Sequence, residues 1–199
     1  MGVAKRLKLS YGEYVARENA SEMRHEFLDG EVFAMAGGTP EHSALIAAVT
    51  MALAQLRKGP CRAFVTELRT RIRASEHGPD VGTYPDIAIV CGPVLRDAED
   101  PIAVVNPTVI IEVLSNSTEA YDRHGKFEHY KRLESLQEYV LVSQHEPLIE
   151  RFSKDARGWS TADRAGVGGR LVLSSITATL DVDEIFDGLV GDDGRVRVG

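Results

Sequence analysis

The chain of 199 residues, 43% hydrophobic and 27% charged, fits one soluble globular domain with room for a substantial core. Its formal charge of −7 argues against generic adhesion to nucleic acid, so a polyanion would have to meet a local basic patch. No window approaches the roughly 18 uninterrupted apolar residues of a membrane span, and Lys5, Arg6 and Lys8 precede no apolar core of signal-peptide length, which reads as a cytoplasmic protein without a membrane partner.

Ser10-Tyr11-Gly12-Glu13 has the form of a capping box and predicts a short helix from about Tyr11 to Asn19. In Glu26-Phe27-Leu28-Asp29-Gly30-Glu31-Val32-Phe33, Asp-Gly between apolar flanks predicts a β-hairpin. Gly37-Gly38-Thr39-Pro40 breaks the chain without the lysine–hydroxyl pair of a phosphate-binding loop. From Glu41 to Lys58, Leu45, Ile46, Val49, Leu53 and Leu56 recur at helical spacing, and Gly59-Pro60 ends that helix. Cys61 and Cys91 read as small buried thiols rather than a disulfide or zinc pair.

Residues 61 to 74 read as one or two strands, with Leu68, Thr70 and Ile72 alternating against a basic row, Arg69, Arg71 and Arg73. Such a row suits a line of phosphates; a charged sheet edge that resists aggregation explains it equally well. The segment from Glu76 to Thr83 is expected to be a mobile loop. Two continuous apolar runs follow, Pro85-Asp86-Ile87-Ala88-Ile89-Val90 and Thr108-Val109-Ile110-Ile111-Glu112-Val113-Leu114, joined by a loop from Cys91 to Asn106; both have the character of strands buried on two faces.

After the turn Ser115 to Thr118, a helix is placed from about Asp122 to Leu133, with Phe127, Tyr130 and Leu133 inside. Strands then read at Glu138 to Ser143, Pro147 to Ser153, Trp159 to Ala162 and Arg170 to Leu173, before a terminal helix near Val182 to Leu189. Residues 1–8 and 191–199 are expected to be loose, leaving one α/β domain over residues 9–190 with a mixed central sheet flanked by helices.

An ionised carboxylate inside a buried strand is costly unless a cation or donor network compensates it, so Asp86 and Glu112 suggest a metal site. Magnesium takes one or two carboxylates and keeps several waters, and the Val113 carbonyl is a plausible third ligand. Equally open from the residues alone, Asp86 caps a turn and Glu112 pairs with an arginine. Phosphodiester hydrolysis also asks for a group that orients water or neutralises charge, and Lys126 is the nearest lysine, with Tyr130 one turn on, read chiefly as core. His42 at a helix start could donate to phosphate or to an acid of the site.

Glu26 with Leu28-Asp29-Gly30-Glu31-Val32, His42, Tyr84-Pro85-Asp86-Ile87-Ala88-Ile89-Val90, Ile111-Glu112-Val113-Leu114-Ser115-Asn116-Ser117-Thr118, Tyr121-Asp122-Arg123-His124-Gly125-Lys126-Phe127 and Tyr130 together resemble the Uma-two family of bacterial proteins. That family looks like a branch of the PD-(D/E)XK nucleases, with the restriction-endonuclease-like fold, and the resemblance runs from about Leu9 to Leu189. It implies a Mg2+ site, with Mn2+ as a substitute, at Asp86, Glu112 and Val113, a supporting acid at Glu26, and Lys126 in place of the superfamily lysine. The usual position of that lysine is held by Leu114. The resulting expectation is a metal-dependent endonuclease acting on nucleic acid, DNA first, as a homodimer by analogy. A non-catalytic nucleic-acid-binding or assembly module is the alternative, and hydrolysis of a small phosphorylated compound a third.

Overall fold

The computed structural model describes residues 8–35 and 37–198. Of the segment expected to be loose at residues 1–8, residues 1–7 lie outside them, and Lys8 is ion-paired with Asp29. Helix α1 (Tyr11–Glu18) starts with both halves of the capping box, the Ser10 side chain accepting from the Glu13 N–H and the Glu13 carboxylate accepting from the Ser10 N–H. The hairpin follows as β1 (His25–Leu28) and β2 (Glu31–Ala34), its turn made by Asp29 at φ 48° and Gly30 at φ 91°, the left-handed pair that a two-residue hairpin requires. Helix α2 (Pro40–Ala52) has Thr39 as N-cap and proline in its first turn, and a tight 3-10 turn, Ala54–Lys58, finishes the helical segment.

The large sheet runs in the order β10 (Gly158–Trp159), β9 (Ile149–Asp155), β8 (Glu138–Val142), β7 (Val109–Val113), β6 (Ile87–Cys91), β3 (Cys61–Val65), with β11 (Asp163–Ala165) also on β9. Only β7 and β8 run parallel there; the remaining pairs are antiparallel, so the sheet is mixed as expected. The parallel pair is joined by a crossover that carries α3 (Glu119–Tyr121), a single π turn (Asp122–Lys126) and α4 (Phe127–Tyr130). A four-stranded antiparallel sheet, β2-β1-β5-β4, contains β5 (Val81–Thr83) and β4 (Thr70–Ile72), and a separate hairpin pairs β12 (Arg170–Leu173) with β13 (Ala178–Asp181) before α5 (Val182–Phe186).

Alternation along β7 divides the core. Val109, Ile111 and Val113 face α2, α5 and the β12–β13 hairpin through Leu45, Val49, Leu180 and Phe186. Ile110 and Leu114 face the other way, onto Phe127, Tyr130 and, from the small sheet, Ile72 and Val81. Helix α1 covers the far side of the small sheet with Tyr11, Tyr14 and Val15 on Phe27. Glu112 therefore interrupts the apolar face that packs on α4, and it is only 2% exposed.

Several expectations are corrected. The segment from Glu76 to Thr83 is not all loop: its end forms β5, fully buried and paired on both sides. Cys61 and Cys91 are not separate thiols; they are opposite one another in the β3–β6 register, with Cα atoms 3.9 Å apart, and are joined as a disulfide. Strand β13 was not expected, and of the strand expected at Trp159 to Ala162 only Trp159 is paired, in β10, while β11 begins beyond it at Asp163. The tail is not loose over residues 191–198: Val196 bridges to Val190 and is buried in the core beside α2 and α5.

Candidate active site

Asp86 stands just before β6, and Glu112 is the fourth residue of β7. The antiparallel register Ile87↔Ile111, carried one step further, sets the two acids opposite each other. They are tied by reciprocal backbone contacts: the Asp86 N–H donates to Glu112 Oε2 at 3.2 Å, and the Val113 N–H donates to Asp86 Oδ2 at 2.8 Å. Both line one cleft of about 440 Å³, together with Glu26, His42, Asp122 and Lys126.

Three further elements complete the group. From the crossover, Lys126 Nζ lies 3.0 Å from Glu112 Oε1, 3.3 Å from Glu26 Oε1 and 3.7 Å from Asp122 Oδ1. The Tyr130 hydroxyl donates to Glu112 Oε1 at 2.8 Å. From the start of α2, His42 Nε2 is 3.3 Å from Asp86 Oδ2, and the ring also bonds the Val113 backbone. Glu26, on the hairpin, accepts from the Thr83 hydroxyl. The resemblance-based set of Asp86, Glu112, Lys126 and Glu26 is thus brought together, and His42 joins it.

Carboxylates outnumber cations here, and the titration behaviour follows. Burial, reinforced by the nearby Asp86 and Asp122 charges and opposed by Lys126, raises Glu112 to about 8. Burial likewise raises Asp122. Desolvation works against the Lys126 charge, but Glu112, Tyr130, Glu26 and Asp122 together hold it well above the ordinary lysine range, so it stays an ammonium. The hydrogen bond to Asp86 raises His42, overcoming its own burial, so it too favours the charged form.

The donor set suits a hard divalent cation. Among the described residues no three His, Cys, Asp or Glu side chains form a ready-made metal cage. Asp86, Glu112 and the Val113 carbonyl are instead the sparse, oxygen-only kind of set that magnesium completes with water and substrate oxygens. Four carboxylic groups, Glu26, Asp86, Glu112 and Asp122, face only Lys126 and His42; in the metal-free protein the raised Glu112 meets part of that excess with a proton, a place that a divalent ion would take.

Other expected positions do not join this site. Arg69 and Arg71 are 1% and 3% exposed, so they do not form an outward basic row. Arg69 Nε lies 2.7 Å from Asp100, with its guanidinium over the Tyr14 and Tyr84 rings; Arg71 pairs with Asp80 at 2.9 Å and stacks on Tyr11; Arg73 pairs with Asp97 at 2.9 Å. Burial demands partners, and acids from the 80 and 97–100 loops supply them.

Two contributors were missed or underrated. Asp122 was given no role at the site; its spacing of four residues before Lys126 was the available signal. Tyr130 is core, as read, but its hydroxyl also fixes Glu112.

A family model described as "Uma2: Putative restriction endonuclease" matches residues 11–183. Uncharacterized protein slr1290 of Synechocystis sp. is 35% identical over 183 residues, covering 92% of this chain and 93% of its own length. Uncharacterized protein sll1609 of the same organism is 30% identical over 176 residues, 87% of this chain and 97% of its own. The crystal structure of a putative nuclease belonging to DUF820 from Anabaena variabilis superposes with a TM-score of 0.66 over 83% of this chain and 91% of that one, at 18% identity, so it speaks for the fold. With the family model matched over residues 11–183 and a mixed sheet flanked by helices that superposes on the Anabaena fold, this chain belongs to the Uma2, or Uma-two, family.

Proposed function

We propose that the protein is a Mg2+-dependent endonuclease, Mn2+ substituting, that hydrolyses phosphodiester bonds in nucleic acid, DNA in the first place, through one domain over residues 9–190. The observation that carries this reading is the placement of Asp86 opposite Glu112, with the Lys126 ammonium 3.0 Å from the Glu112 carboxylate, in a cleft of about 440 Å³. A divalent ion at Asp86, Glu112 and Val113 would supply the positive charge that the scissile phosphate and the attacking water need.

The remaining roles belong to the chain itself. Lys126, held protonated, donates toward the phosphate or the incoming water rather than acting as a base. His42 orients Asp86 and adds a second donor at the cleft wall. Tyr130 locks the Glu112 carboxylate in its rotamer. As the water oxygen bonds to phosphorus, the bond to the leaving sugar oxygen breaks, and the negative charge that builds up is met by these donors.

Cleavage of labelled oligonucleotides in Mg2+ or Mn2+ tests the proposal. The wild-type protein cuts, and an Asp86→Ala protein with an unchanged circular dichroism spectrum does not; equal cutting by both overturns the assignment. A second reading, a nucleic-acid-binding or assembly module without chemistry, is favoured by Leu114, which is apolar, buried and docked on α4 where the superfamily lysine stands. Under that reading the wild type binds and does not cut. We further propose a homodimer, by analogy with nucleases that cut two strands, and action in the cytoplasm. The Cys61–Cys91 disulfide weighs against that compartment.

A further inference from the structure

Resting on the nuclease reading above, we infer that the substrate enters as unpaired nucleic acid, held by its bases between Phe33 and Tyr121 rather than by its backbone. Both aromatic rings line the cleft, and they stay 47% and 38% exposed in a protein that otherwise buries most of its aromatic surface. Each is fixed to the acids by local geometry. Phe33 is the direct cross-strand partner of Glu26 in the hairpin, on the same face, which sets their Cβ atoms about 5 Å apart. Tyr121 immediately precedes Asp122, and its ring lies over Gly125, where an added Cβ would come within 2.8 Å of the ring carbons. Glycine there leaves the room that lets the ring lie across the π turn.

Charge decides how a substrate is gripped. Duplex binding by backbone contact draws on a series of free Lys and Arg side chains reaching successive phosphates. Among the described residues the basic side chains lining this cleft are His42 and Lys126, both paired with its acids and, on the reading above, directed at the one reacting phosphate, so neither is left for its neighbours along the strand. Arg69 and Arg71 are buried in ion pairs of their own. With phosphate contacts scarce and two rings presented beside the acids, base stacking is the grip that remains, and it needs bases free of a duplex. The acids also lie deep: Glu112 and Asp122 are nearly inaccessible, so the scissile phosphate has to be drawn into the cleft.

The test is fluorescence anisotropy of a labelled single-stranded oligothymidylate and of the same strand in a blunt duplex, with Ca2+ in place of Mg2+ so that binding is read without cleavage. The single strand is expected to bind at least ten-fold more tightly than the duplex. Phe33→Ala and Tyr121→Ala each lose about ten-fold or more, Phe33→Trp retains affinity, and Gly125→Ala, which displaces the Tyr121 ring, loses affinity as Tyr121→Ala does. Equal or tighter duplex binding, full affinity in Phe33→Leu, or no single-strand binding at millimolar protein overturns the inference. Metal-dependent cutting that Asp86→Ala removes would survive any of these results, so the two readings fail separately.

Discussion

Two buried charge clusters lie on either side of the small sheet, and they are built on opposite rules. Around Arg69 and Arg71 each guanidinium has its own acid: Arg69 meets Asp100, Arg71 meets Asp80, and Arg73 at the margin meets Asp97. Around Lys126, Glu26, Glu112 and Asp122 share one ammonium, while Asp86 has only an imidazole. The first cluster is closed and serves the fold; the second holds more acids than cations and meets part of the excess by keeping a proton on Glu112, as fits the cation site proposed above. Charge surplus, more than charge burial, separates a functional cluster from a structural one.

The largest effect tests the closed cluster. Arg69→Ala leaves Asp100 buried without its cation and removes a stacking partner of Tyr14 and Tyr84, and should cost about 3–5 kcal/mol of stability. A shift of the urea midpoint corresponding to less than about 1 kcal/mol would show that the pairing is not structural. The same experiment guards against reading a loss of nucleic-acid binding in this variant as a lost phosphate contact.

The open cluster should respond in the opposite sense. Because Glu112 is raised, the folded protein keeps a proton that the unfolded chain has released, so this group lowers stability as pH climbs from the ordinary carboxylate range to about 8. Every tenfold gain in proton affinity on folding corresponds to about 1.4 kcal/mol. Glu112→Gln should flatten that part of the stability–pH curve and stabilise the metal-free protein above neutral pH. Mg2+ binding to the wild type below pH 8 should release a proton, visible as a dependence of the calorimetric heat on the buffer's ionisation enthalpy. An unchanged pH slope in Glu112→Gln would assign the surplus to another acid. The smallest effect is Arg73→Ala: its side chain is 56% exposed, so loss of the Asp97 pair should cost no more than about 1 kcal/mol by thermal melting.

How far each cluster could be read from the residues follows from the range of its contacts. The hairpin was legible because Asp29-Gly30 makes its own turn. Asp86 and Glu112 stood out because an ionised acid at a run of Ile and Val needs compensation; a turn cap and an arginine pair stayed open until the register of the two strands set the acids opposite each other. Lys126 was picked out as the nearest lysine to the two acids and matched by the resemblance, while the role of Glu26 came from the resemblance alone, since its own strand pattern reads as a solvated acid. The arginine cluster was misread: strict alternation looked like a surface row, and the acids that bury it arrive from loops 9 to 31 residues away. Cys61 and Cys91 failed for the same reason, 30 residues apart until the β3–β6 register aligns them.

The π turn at Asp122–Lys126 carries a consequence for length variation among relatives. It amounts to one extra residue wound into the crossover, whose end is anchored by the buried Phe127 and Tyr130. Deleting one residue from it would restore plain α-helical winding and rotate Tyr121 and Asp122 by about 100° relative to that anchor. The helix would still dock, while the carboxylate and ring ahead of the turn would swing away from the strands. A relative that lacks this extra residue should therefore keep the architecture and forfeit the constellation.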